Sequence, residues 1–184
     1  MPARTWYRIL ALLAVPVLLA HACVSSKKTD TRVPPPQPDR YLRAGDYQRA
    51  IDAFEVNLTQ YPGDKDLLAS YQRAIEEMRD SADRDYESGE FVSSGRTYHL
   101  LLRNFRRFRG FSRRLPFDRG YLRSRIANCS ETLFKKGLTE YRRGQLSQAI
   151  DTWRAVLSFD PKNQEAQKAY RTATTQLKSL GNKE

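Results

Sequence analysis

Three stretches of this 184-residue chain share one spaced skeleton, and no other feature restricts the fold as tightly. They are 41–63 (YLRAGDYQRAIDAFEVNLTQYPG), 86–105 (YESGEFVSSGRTYHLLLRNF) and 141–163 (YRRGQLSQAIDTWRAVLSFDPKN). In each, a glycine (Gly45, Gly89, Gly144) is followed two residues later by an apolar residue (Tyr47, Phe91, Leu146). A small residue (Ala50, Ser94, Ala149) comes three further on, an aromatic (Phe54, Tyr98, Trp153) four after that, and a leucine (Leu58, Leu102, Leu157) four later again. Pro62 and Pro161 close the first and third copies. The spacing predicts a helix whose start is set by a left-handed glycine turn, whose small residue permits close approach, and whose aromatic and leucine form one apolar stripe. The proline stops that helix.

This skeleton resembles the tetratricopeptide repeat, a pair of antiparallel helices that stacks into a superhelix. The resemblance implies an all-α, right-handed solenoid of about three helix pairs with a C-terminal capping helix. The repeats fall at 39–64, 65–105 and 118–162, an Arg-rich loop at 106–117 and the cap at 163–180, all within a helical domain at 39–182. Prolines 34–36 and 38 leave room for only a short first helix, Asp39 to Arg43. The glycines stand 44 and 55 residues apart, where the family has about 34. The excess precedes each glycine: 65–88 and 118–143 both read as single helices of about 24 residues. From Asn163 to Leu180, Ala166, Ala169, Tyr170, Ala173 and Leu177 share one face, as a helix closing the end of a stack requires.

Residues 1–22 carry Arg4 and Arg8, then an apolar run from Ile9 to Ala20, then small residues before Cys23, which is the layout of an export signal. The run is too short, and broken by Pro16, to span a bilayer as a helix. Ala20-His21-Ala22 suits ordinary cleavage, and the same stretch followed by Cys23 resembles a bacterial lipobox, which implies a covalent lipid on Cys23. Residues 23–38 read as a disordered Pro-rich tether; at ~3.1 Å per residue it reaches up to about 45 Å from a membrane. By the same resemblance, Val24 after the cysteine implies the outer membrane. If Cys23 is not acylated, a Cys23–Cys129 disulfide becomes possible; Cys129 itself reads as a small buried hydrophobe.

Lys and Arg number 32 against 21 Asp and Glu, for a net +11. The excess is local. Between Arg103 and Arg125 stand nine arginines, no lysine and one acid, Asp118, whereas residues 41–90 hold twelve acids and six bases. Arg106, Arg107, Arg109, Arg113 and Arg114 are interleaved with Phe105, Phe108, Phe111 and Phe117. Two readings stand. Guanidinium groups fork onto phosphate or carboxylate while the aromatics stack or insert, making an anion-binding loop. Alternatively the rings cover the long helices and the arginines are solvated or pair with the acidic half. An export signal sets nucleic acid aside and leaves anionic lipid, cell-wall glycan or an acidic protein surface.

Nothing in the sequence assembles an enzyme. The two histidines are His21 and His99, and His99 has no nucleophile or metal-ligand motif beside it. Glu76, Glu77, Asp80, Asp83 and Asp85, interleaved with Arg73, Arg79 and Arg84, read as a salt-bridged solvent face. No cofactor or metal is expected beyond the lipid. The repeat resemblance implies a protein-interaction scaffold, here on the periplasmic face of the outer membrane, or an accessory subunit of outer-membrane protein or pilus secretin assembly. Since the first helix of each repeat lines the concave groove in this family, it implies as partner-binding residues Glu76, Arg79, Asp83, Tyr86, Glu87, Phe134, Leu138, Tyr141 and Arg142. Phe134 and Leu138 also fit packing between helices.

Overall fold

The three glycine turns are built alike in a computed structural model that describes residues 37–181. Gly45, Gly89 and Gly144 have φ of 70°, 84° and 74°. In each turn the glycine N–H donates three residues back, to Leu42, Tyr86 and Tyr141, at 3.0–3.1 Å. The next N–H (Asp46, Glu90, Gln145) donates five back, to Tyr41, Asp85 and Glu140, at 2.8–3.0 Å. This paired pattern satisfies carbonyls that a helix end leaves bare, and it needs a residue that tolerates positive φ.

Between these turns lie helices α1 (Pro38–Arg43), α2 (Tyr47–Gln60), α3 (Lys65–Glu87), α4 (Phe91–Asn104), α5 (Arg119–Arg142), α6 (Leu146–Phe159) and α7 (Gln164–Gly181). Short 3-10 turns at Phe105–Phe108 and Ser112–Arg114 link α4 to α5. The described residues contain no strand. Carboxylate caps fix the starts of the long helices: Asp64 accepts from the N–H groups of Asp66 and Leu67, and Asp118 from that of Tyr121 at 2.7 Å. Asn163 does the same for α7, accepting from Ala166 N–H.

Each helix packs on the next, and α4 also meets α6 while α5 meets α7, the layering of an all-α solenoid of stacked helix pairs. The stripe residues form its core. Ala50, Ser94 and Ala149 are fully buried, as are Phe54, Tyr98 and Trp153 beside them. Ser94 keeps its polar atom satisfied by donating to the Ala82 carbonyl at 2.8 Å. Glycine sets two close approaches: a Cβ on Gly95 of α4 would lie 2.7 Å from the Phe159 ring of α6, and one on Gly137 of α5 would lie 2.5 Å from the Trp153 indole. The stretch read as an export signal, Cys23 and nearly all of the stretch read as a tether fall outside the described residues.

The extra length of α3 and α5 has a physical purpose. The α4–α5 loop folds onto these helices, turning Phe108, Phe111, Leu115 and Phe117 into the core. Rings run in a chain of contacts: Phe54 stacks on Tyr71 at 4.7 Å, Tyr71 meets Phe111 at 5.1 Å and Phe108 at 5.9 Å, Phe105 meets Phe108 and Phe117, and Phe117 meets Tyr121 at 6.3 Å. The aromatics of this loop therefore do not serve as exposed stacking or inserting groups, which corrects that half of the anion-binding reading. Burying several phenyl rings outweighs anything a surface contact returns, at roughly 1.5–3 kcal/mol per large apolar side chain.

Candidate functional site

The expected groove residues of α3 and α5 separate into a polar hub and an apolar cleft. At the hub, Asp83 of α3 accepts hydrogen bonds from the hydroxyls of Tyr98 on α4 and Tyr121 on α5, the latter at 2.6 Å. Its other oxygen takes the Arg79 guanidinium at 3.1 Å. Arg125 of α5 stands 3.8 Å from the carboxylate, donates to the Tyr121 hydroxyl, and lies 4.7 Å over the Tyr86 ring. Arg79 also pairs with Asp80 and lies 5.7 Å over Phe117.

Burial alone would raise the Asp83 carboxyl above its usual range. The Tyr121 and Tyr98 hydroxyls and Arg79 together outweigh burial, and the group is held below that range. Burial and then Asp83 push the Tyr98 hydroxyl up, so the shared protons stay on the phenols. Two arginines and two aspartates leave the hub without a free charge. Asp83 and Arg79 are thus not part of a solvent face, which corrects the sequence reading of that helix. Arg73 donates to Ser70, and Asp85 accepts from Ser93. Glu76 is half-buried and accepts from Gln72, while Glu87 is exposed.

The second part is a cleft of about 390 Å³ between α5 and α7. Phe134, Leu138 and Tyr141 line one wall, Glu165, Lys168, Ala169 and Thr172 the other, and Trp153 forms the floor. Phe134 and Tyr141 rings lie 6.2 and 5.9 Å from the indole, whose N–H donates to the Phe134 carbonyl. The Tyr141 hydroxyl donates to Gln176 of α7, bracing the mouth. Phe134 and Leu138 pack between helices and also line the cleft. Arg142, one residue past Tyr141, is exposed. Sequence reasoning gave Trp153 and Ala169 to helix packing and not to the groove, and Gly137 facing the stripe tryptophan marks a close approach of α5 and α6.

Elsewhere Cys129 is fully buried on α5, and burial pushes its thiol up; its sulfur lies 3.8 Å from the Ser94 hydroxyl. His99 is half-buried, its imidazole held low by burial and by Arg103. No group of histidine, cysteine and carboxylate side chains among the described residues is arranged to hold a metal.

Residues 131–163 match the tetratricopeptide repeat family model. The matched segment begins at Glu131, midway along α5, and ends at Asn163, so it takes in the cleft's α5 wall and its tryptophan floor. The first half of α5 is therefore an addition to the repeat, and it is this half that carries Tyr121 and Arg125 and packs on the Arg-rich loop. Repeats of this kind are protein-binding scaffolds, and generally not enzymes. No curated protein and no solved structure matches the chain.

Proposed function

We propose that the protein is a non-enzymatic scaffold that holds a peptide segment of a cell-envelope partner against its concave face, anchored through an acylated Cys23 to the periplasmic side of the outer membrane. The observation that carries the binding half is the α5–α7 cleft. An apolar floor and wall of Trp153, Phe134, Leu138 and Tyr141 face a rim of Glu165 and Lys168, which suits an apolar anchor side chain flanked by polar groups on an extended or helical segment. The anchoring half is supported by the apolar run Ile9–Ala20, separated from Cys23 by His21 and Ala22, and by the polar, Pro-rich stretch after Cys23. Tethering to the partner's own membrane raises the local concentration of the cleft and compensates for a small contact area.

The test is site-specific photo-cross-linking of the full-length protein in its native envelope. A cross-linker replacing Leu138 gives discrete protein adducts, while one replacing exposed Thr59 gives few or none. Equal labelling at both positions, or none at either, removes the groove reading. A Cys23→Ala form leaves the membrane fraction. An unacylated mass for the wild-type chain removes the anchor and leaves the groove reading standing.

A further inference from the structure

The Arg-rich loop separates its side chains by chemistry. Its rings and Leu115 turn inward, whereas Arg106, Arg109, Arg113 and Arg114 are exposed. Three other arginines of the cluster are already engaged: Arg107 reaches Asp52 at 2.6 Å and Glu55 at 3.9 Å on α2, Arg103 donates to Gln48, and Arg125 belongs to the Asp83 hub. Arg107 is thus withdrawn from the anion-binding set read in the sequence. Among the described residues, no hydrogen bond or ion pair is made by the Arg106, Arg109, Arg113 and Arg114 guanidinium groups. The backbone under them is held by buried Phe108, Phe111 and Phe117 and by two 3-10 turns. This makes a fixed guanidinium surface rather than a floppy basic tail.

We infer that this surface docks the domain onto anionic phospholipid headgroups, an interaction that does not depend on the concave cleft. What the loop withholds decides the partner. Single-stranded nucleic acid needs exposed rings to stack on, and these rings are in the core. The fully buried centre of a specific protein interface is typically more apolar and aromatic than its rim. The exposed large apolar residues among those described are Val56, Tyr61, Leu177 and Leu180, none of them in the loop. A surface offering only forked donors and charge fits a dense, fluid field of phosphates, to which guanidinium binds in bidentate fashion. Without exposed rings the contact is peripheral and salt-sensitive, with no insertion into the acyl region.

Residues 34–184 form one compact unit that contains the whole described core, so they can be tested without the apolar leader and without Cys23. In vesicle co-sedimentation, this chain binds vesicles of mixed phosphatidylglycerol and phosphatidylcholine, ignores pure phosphatidylcholine, and is released by salt. The R106A/R109A/R113A/R114A variant, with thermal unfolding unchanged, loses about fivefold in affinity for each arginine removed at low salt. A K135A/K136A/R171A/K178A variant, matched in charge change but away from the loop, retains binding. Equal loss in both variants, equal binding to both vesicle types, or pelleting with cell-wall sacculi but not with vesicles would each overturn the assignment.

Discussion

Asp83 on α3 accepts the hydroxyl of Tyr121 on α5 at 2.6 Å, across a separation of 38 residues. The two helices are the first members of consecutive pairs, so this bond ties one pair to the next. Tyr98 joins the same carboxylate from α4, and Arg125 closes over Tyr86. The hub is therefore a clamp that joins α3 and α4 to the added half of α5.

Removing the clamp tests that role. Asp83→Asn keeps the shape but weakens charge-assisted bonds to two phenols and Arg79, for an expected loss of about 1.5–3 kcal/mol. Tyr121→Phe alone costs less, because Asp83 retains Tyr98 and Arg79. A double-mutant cycle by urea unfolding should give a coupling of roughly 0.5–3 kcal/mol between positions 83 and 121. Simple additivity would mean that the bond carries no stability.

Acid should undo the same clamp. The folded carboxyl of Asp83 lies below its ordinary value, so its stabilisation is present above the unfolded aspartate pKa of about 3.9 and is lost as pH falls through the folded value. His99 acts earlier: its folded imidazole is depressed by burial and Arg103, so the unfolded chain binds the extra proton and stability falls as pH drops below about 6.5. Thermal melts of the wild type should fall in both windows. Asp83→Asn should flatten the lower one alone and His99→Gln the upper one alone.

How much of this was legible depended on range. The glycine turns, the buried stripe and the two long helices are local in cause, and spacing alone places them. The Asp83 hub is not, because an Arg79–Asp83 pair four residues apart looks the same on a solvated face as on an inter-helix one, and Tyr98 and Tyr121 lie 15 and 38 residues away. One signal was available: Tyr121 and Arg125 also stand four apart, on the same side of α5. The loop phenylalanines were ambiguous for a different reason. An irregular segment has no period from which to read an inward face, and only the positions of Tyr71 and Tyr121 decide it.

Gly137 offers a prediction on the cleft itself. Alanine there gains about 1 kcal/mol of helix propensity, but its Cβ would sit 2.5 Å from the Trp153 indole. That ring is held between Phe134 and Tyr141 and has little freedom to yield. Overpacking costs typically 1–3 kcal/mol, so Gly137→Ala should be net destabilising, by up to about 2 kcal/mol. Trp153 is the sole tryptophan in residues 34–184, which lets its emission report the displaced ring directly. An unshifted spectrum with raised stability would show that the indole moves aside freely.

The loop supplies a contrast within three residues. Phe111 is 2% exposed and packed against Tyr71 and Phe108, so Phe111→Ala should cost about 3–5 kcal/mol and loosen the loop from α3. Arg109 is exposed, and Arg109→Ala should leave stability within about 0.5 kcal/mol. Chemical denaturation of both variants measures this asymmetry, and hydrogen exchange at Phe105 to Asp118 shows whether ring burial holds the arginines in place. If Phe111→Ala leaves exchange in the loop unchanged, the 3-10 turns are held by something other than the aromatic chain. If Arg109→Ala destabilises as strongly, that guanidinium is a structural group and not part of a free surface.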